Sequence, residues 1–410
     1  MPWPIHDVNT IRREFVTKAL MQGASFSALC REYGISRKTG YKWRHRALQD
    51  GLKRLGDQSR RPKSSPTQVA EQAVCTLIRF KLRHPSWGPK KIRQLYARQF
   101  ADVPSLSSCQ RVLTRAGLVL ARRRQRKPLK ERISSAMVPT APNEVWTVDF
   151  KGWWNLANGQ RCEPLTVRDA FSRFVLAVHA LPRADTRQVQ GFFEGLFNTY
   201  GLPRVIKSDN GAPFATAGAP WGLSRLSAWW LALGISVDRS RPAHPQDNGA
   251  HERMHRDIAA ELATQNHPDL DSQQAAFDLW REQFNWQRPH EALAGRCPAE
   301  LYQKSSRRMP SEVAISYSSE MVPRKVSKAG MIKWGGHVKI FISGALAGWT
   351  IGLRYCDPDH LELWFADLLL GHLEISSVRF LRAASRPQEA SDARTACAFP
   401  PSSTYLSPMS

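Results

Sequence analysis

Val145-Trp-Thr-Val-Asp149-Phe150 is an apolar run interrupted by one carboxylate near its end, and the reading of the chain turns on it. Valine, tryptophan and threonine suit a half-buried strand. Working outward, Pro164–Arg168 and Arg173–Ala180 read as two further strands, joined by the Asp169-Ala-Phe-Ser172 turn. Asp185–Tyr200 is an amphipathic helix closed by Gly201-Leu-Pro203, and Arg204–Ser208 is a fourth strand. A helix over Leu223–Leu233 and a fifth strand over Gly234–Asp238 follow, then helices at 248–264 and 271–286. Three antiparallel strands followed by alternating strands and helices predict an α/β core over 140–305 with a five-stranded mixed sheet.

Charge separates this core from what precedes it. The chain has 410 residues and a formal net charge of +24. Residues 1–135 hold 30 Lys+Arg against 8 Asp+Glu, a net of +22, whereas 140–305 hold 17 against 18. A basic block of that kind suits a phosphate backbone and its displaced counterions, so a nucleic acid is the expected partner. The length predicts two to four domains. No run of 18 apolar residues exists, so no membrane span is expected, and the N-terminus lacks the apolar segment of a secretory signal. Seven scattered cysteines, never in a C-x-x-C pair, fit reduced thiols and a cytoplasmic, nucleoid-associated setting.

The basic third divides in two. Helices at 11–22 and 25–33 precede Gly34-Ile35-Ser36, a turn with a good N-cap, and then a helix over 36–46. Leu29, Ile35 and Trp43 are the candidate core; Arg37, Lys38, Lys42 and Arg44 are candidate DNA contacts on a recognition helix. Gly40 in that helix is expected to weaken it by about 1 kcal/mol relative to alanine. These features predict a helix-turn-helix domain over 1–62. After the linker at 57–66, helices from Thr67, Pro89 and Ser108 predict a second helix-turn-helix or winged-helix-like domain over 63–135, with Lys90 and Lys91 facing DNA. Its basic run at 121–132, including Arg122, Arg123 and Arg124, reads as an extended tether along phosphates. Beyond the core, 306–323 reads as a polar linker. Short strands at 338–342, 350–355, 361–365 and 369–373 predict a small all-β barrel over 324–382, and 384–410 a disordered tail.

Three carboxylates carry the chemistry. Asp149 lies near a strand end, Asp209 follows Val205-Ile-Lys-Ser208, and Glu252 lies early in a helix whose stripe is Met254, Ile258 and Leu262. Glu252 shares the opposite face with Asn248, Arg256 and Ala259. Carboxylates converging from two strand ends and a helix repel one another without a cation. Hard oxygen donors select Mg²⁺ or Mn²⁺, and two such ions can clamp a phosphodiester.

Trp146-Thr-Val-Asp149, Ser208-Asp-Asn-Gly211 and His244-Pro-Gln-Asp-Asn-Gly-Ala-His-Glu-Arg253 resemble the catalytic signature of retroviral-integrase-like DDE transposases. The likeness extends to Ser36–Trp43, to Ser59-Arg-Arg-Pro62 and to Trp87–Ile92, and covers roughly 10–305. It is greatest to bacterial insertion-sequence transposases with an N-terminal helix-turn-helix. The resemblance implies an RNase-H-like core with Asp149, Asp209 and Glu252 as catalytic metal ligands, two ions, and a dimer or larger assembly on DNA. It implies binding of terminal inverted repeats, 3′-end cleavage and strand transfer. Asn210, Asn248, Arg253 and Arg256 are candidates for supporting or DNA-backbone contacts. Two departures stand out. The Asp209–Glu252 spacing is longer than the family's, with the surplus expected in a tolerated surface loop at 212–222. The position seven residues past Glu252 is Ala259, where the family commonly has Lys or Arg.

Two other readings are open. A transposase-derived DNA-binding regulator without catalysis would share every feature except turnover. His251-Glu-Arg-Met-His255 also spells the H-E-x-x-H zinc-peptidase signature, but no third-ligand motif follows. Those histidines are expected to pack at the rim of the apolar stripe.

Overall fold

The computed structural model describes residues 7–21, 23, 25–57, 68–119, 138–216, 219–240, 249–263 and 265–383. The chain forms two compact units, 1–69 and 70–410. Asn248, Arg122, Arg123, Arg124 and the expected tail at 384–410 lie outside the described residues.

The first unit is three helices, α1 (Val8–Leu20), α2 (Phe26–Glu32) and α3 (Arg37–Asp50). Ser36 caps α3 by accepting from the Thr39 backbone N–H at 3.2 Å. Leu29, Ile35 and Trp43 are buried with Phe15 and Val16, as the sequence predicts. Gly40 is buried inside α3 for a reason the sequence does not show. A Cβ there would lie 2.7 Å from Cys30 Sγ and 3.0 Å from Phe15 Cζ, so glycine lets α3 press onto α1 and α2.

The second unit begins with α4 (Glu71–Arg83), α5 (Pro89–Ala97) and α6 (Leu106–Arg115), closed around Leu77, Phe80, Ile92 and Leu113. Its described residues contain no strand, so the winged-helix alternative is not supported there. This trihelical part is fastened to the core. Ser86 Oγ donates to Glu261 at 2.5 Å, Lys90 pairs with Glu291, and Arg98 pairs with Glu300 at 2.7 Å.

The core strands are β1 (Val145–Phe150), β2 (Trp154–Asn155), β3 (Arg161–Asp169), β4 (Val175–Leu181), β5 (Val205–Ser208) and β6 (Ser236–Arg239). β1–β3 and β3–β4 pair antiparallel, while β1–β5 and β5–β6 pair parallel. The long strands therefore run in the order β4-β3-β1-β5-β6, the expected five-stranded mixed sheet, with β2 a short addition on β3. Helices α7 (Thr186–Tyr200) and α8 (Arg225–Ala232) bury Phe193, Phe197, Trp229 and Trp230 in the main core cluster beside strand residues Trp146, Val148 and Ile206. Helices α9 (Gly249–Ile258) and α10 (Leu270–Glu282) bury Met254, Ile258, Phe277 and Trp280 in a second cluster with β4 residues Val175 and Val178.

The C-terminal part corrects three expectations. It is not a closed barrel. Strands β7 (Val322–Lys325), β10 (Thr350–Asp357), β11 (His360–Phe365), β12 (Leu368–Glu374) and β13 (Arg379–Arg382) form an open sheet in the order β13-β12-β11-β10-β7, beside a hairpin of β8 (Met331–Trp334) and β9 (Val338–Phe341). Residues 306–323 are a strap rather than a plain linker: Arg307 donates to the carbonyls of Pro203 and Gly234, and Tyr317 Oη donates to Thr350 O at 2.8 Å. The stretch 212–222 is not a spare surface loop. Phe214 and Pro220 are buried, and Trp221 Nε1 donates to Leu369 O at 2.8 Å. With Leu223 and Ala228 it seats the C-terminal sheet on the core.

Candidate active site

Asp149 is carried near the C-terminal end of β1, a central strand. β1 and β5 are in parallel register, Thr147 opposite Lys207. Continuing that register by two residues brings Asp149 level with Asp209, the first residue after β5. The Asp209-Asn-Gly211 turn is self-bracing, since the Gly211 N–H donates to Asp209 Oδ1 at 3.1 Å. Asn210 Nδ2 donates to Ser240 O at 2.9 Å and ties this turn to the chain leaving β6. Glu252 is exposed in the first turn of α9, while Met254, Ile258 and Leu262 on the other side are buried. That is the division of faces read from the sequence.

Asp149 feels the charge of both other carboxylates, although among the described residues the carboxyl oxygens of the three do not all lie within 4.8 Å of one another. The Asp149 carboxyl is raised to about 7, first by burial, then by the Asp209 carboxylate and, more weakly, by Glu252. Lys151 and Arg239 bring opposing positive charge, Lys151 to Asp149 and Arg239 to Asp209. A set of carboxylate oxygen donors, one of them raised chiefly by burial and further by its acidic neighbours, fits a hard divalent cation.

Behind Asp149 lies a feature the sequence misplaces. His251 is fully buried and His255 is 8% exposed, not at a rim. Thr166, opposite Asp149 on β3, donates its hydroxyl to Asp149 O at 2.9 Å. The same oxygen lies 2.6 Å from His251 Nε2 and 2.7 Å from His255 Nε2. His251 Nδ1 is 2.9 Å from Thr147 Oγ1. The two rings meet edge to face at 4.7 Å. Burial, as the main cause, pushes the His255 imidazole down to about 3 and His251 well below the usual histidine value. Both are therefore neutral at neutral pH, and the 3.9 Å separation of His255 Nδ1 from Asp149 Oδ2 is not an ion pair. The third partner that the H-E-x-x-H motif lacks in sequence is Asp149, more than 100 residues upstream.

Against known families, residues 139–245 match an integrase core domain, and residues 233–298 match a second family of the same description. The middle of this chain, residues 139–298, is thus similar to integrase core domains. Ahead of it, 11–63 match a helix-turn-helix domain and 39–113 a homeodomain-like domain. An uncharacterized 31.7 kDa protein of insertion element IS407 from Burkholderia multivorans is 25% identical over 242 residues, 59% of this chain and 84% of that one. An uncharacterized 39.2 kDa protein of insertion element IS476 from Xanthomonas euvesicatoria is 24% identical over 255 residues, 62% and 70% of the two chains. The solved HTLV-2 integrase catalytic core domain in complex with magnesium is 15% identical, covers 40% of this chain and 99% of that one, and has a TM-score of 0.29.

The fold treats the expected DNA contacts unequally. Arg37, Lys38 and Lys42 are exposed on α3, and Lys42 lies 5.0 Å above the Trp43 ring. Arg44 is half-buried with its guanidinium 5.8 Å above Phe26. Lys90 is spent on Glu291. Lys91 is half-buried, and burial is the main cause that lowers it to about 8. Arg253 and Arg256 are exposed beside Glu252. Ala259 begins a π-helical turn, Ala259–Ala263, so the regular 3.6-residue phase that aligned it with Glu252 ends there. Among the described residues, no helix is long and apolar enough to cross a membrane, and the six described cysteines are free thiols.

Proposed function

We propose that this chain is the DNA transposase of an insertion element, cutting element ends and joining them to target DNA. The supporting observation is the electrostatic coupling of Asp149 to Asp209 and Glu252 at one edge of an integrase core. Asp149, Asp209 and Glu252 would hold the Mg²⁺ or Mn²⁺ ions through their carboxylate oxygens. Ions bound there supply a nucleophile at neutral pH and neutralise charge on the phosphodiester. The protein's own work is positioning. The strand pair β1–β5 sets the two aspartates level, the sheet-packed face of α9 aims Glu252 outward, and Asn210 fixes the Asp209 turn. Arg253 and Arg256 neutralise the DNA backbone beside Glu252. Water opens the bond at the element end, and the freed 3′-hydroxyl then attacks a target phosphodiester. No covalent protein intermediate is required.

Helix α3 reads the terminal repeats in the major groove through Arg37, Lys38 and Lys42. Joining two ends calls for a dimer or larger assembly on double-stranded DNA, in the bacterial nucleoid. The test is nicking and strand transfer on labelled DNA carrying the parent element's ends, with Mg²⁺, Mn²⁺ or EDTA. Products are expected only with metal, and Asp149→Asn and Glu252→Gln each lower them at least 100-fold, on the order of one lost electrostatic element of a catalytic site. Tight end binding without product under either ion would leave a DNA-binding regulator instead.

A further inference from the structure

The buried histidine pair is not used by the carboxylate chemistry, and counting its protons singles out one atom. Thr166 has one hydroxyl proton, and the Asp149 backbone carbonyl accepts it. Both Nε2 atoms near Thr166 Oγ1 must then be donors. Each neutral ring therefore presents its lone pair at Nδ1. For His251 that lone pair lies 2.9 Å from the Thr147 hydroxyl, whose single proton is shared with Arg168 O at 3.3 Å. For His255 there is no such partner: among the described residues, no hydrogen bond is made to His255 Nδ1, and the group it faces is Asp149 Oδ2 at 3.9 Å. At that distance no hydrogen bond joins them. The gap is, however, slightly shorter than two metal–ligand bonds of about 2.1 Å laid end to end. The ring is held in this orientation by Thr166 on its far side and by the edge-to-face contact with His251.

We propose that His255 Nδ1 is a nitrogen ligand to the ion held by Asp149, making that position a mixed imidazole–carboxylate site that prefers Mn²⁺ to Mg²⁺. The inference rests on Asp149 being a metal ligand, as proposed above. Its chemistry is that of ligand softness: imidazole adds affinity for transition ions and little for Mg²⁺, which favours oxygen. The exposed Glu252 and the buried His255, neighbours three residues apart on α9, would thus serve one site together.

Pulsed electron paramagnetic resonance of Mn²⁺ bound to the full-length protein tests this without turnover. The expected result is a ¹⁴N modulation that becomes a ¹⁵N modulation when only the histidines are ¹⁵N-labelled. It should vanish in His255→Gln and persist in His251→Gln. Calorimetry should show Mn²⁺ binding about tenfold weaker in His255→Gln with Mg²⁺ binding within about twofold. Labelled wild-type protein shows whether a histidine nitrogen binds the ion even if a variant does not fold. Mn²⁺ binding that is lost in Asp149→Asn but lacks any nitrogen modulation in the wild type overturns the histidine ligand and leaves the carboxylate site standing. A modulation lost only in His251→Gln assigns the wrong ring and also overturns it. Mn²⁺ binding indifferent to Asp149→Asn removes the carboxylate site and the histidine ligand together.

Discussion

Asp149 ties stability to pH through a single carboxyl. Its ordinary value of 3.8 is raised to about 7 in the fold. Between those values the folded protein holds a proton that the unfolded chain has released, so stability falls as pH rises from about 4 to about 7. The full penalty is present above that range. Asp149→Asn removes the ionisation. In metal-free buffer at pH 8 the variant should be more stable than the wild type by on the order of 3 kcal/mol, and near pH 4 the two should agree. Denaturant melts at the two pH values check this. A gain of the same size at both would show that the effect is packing rather than charge. Mg²⁺ at pH 8 should stabilise the wild type and leave the variant unmoved.

At the scale of elements, helix α3 shows how propensity misleads. By propensity alone, Gly40→Ala would strengthen the helix by about 1 kcal/mol. The structure reverses the sign, because the added Cβ would sit 2.7 Å from Cys30 Sγ and 3.1 Å from Phe26 Cζ, both pinned by neighbouring helices. Overpacking of this kind costs about 1–3 kcal/mol. Gly40→Ala should therefore lower the melting temperature of the N-terminal unit and weaken end-DNA binding; a variant that melts higher would refute the close-approach account. Helix α9 is the second case. Its apolar stripe is visible in sequence, but the π turn at Ala259 is not, because such a turn reflects a local choice of hydrogen bonds rather than a residue pattern.

Across the whole second unit, the helix that carries Glu252 is bound to its surroundings through charge. Arg288, 4% exposed, donates to Asp257 at 2.6 Å and lies 3.5 Å from Glu261. Glu261 also accepts from Trp280 Nε1 at 2.8 Å and from Ser86 of the trihelical part. Arg288→Ala leaves the partly exposed Asp257 without its ion-pair partner, removes one of the three partners of Glu261, and should cost about 2 kcal/mol. Because Glu261 also receives Ser86, proteolysis should then expose the 70–119 helices before the sheet core. Simultaneous release of both parts would argue that Arg288 merely supports the global fold.

What the sequence determined by itself is what period and composition encode: the strands bearing Asp149 and Asp209, the outward face of Glu252, the core of the first helical unit, and the concentration of positive charge before residue 136. These are local signals, and local physics suffices for them. The tertiary structure decided the rest. It spent Lys90 on Glu291, turned the 212–222 stretch into a seat for an open sheet, and set His255 against Asp149 across more than 100 residues. Each of those depends on which surfaces meet, and a buried polar group acquires its role only from the partner that packing brings to it.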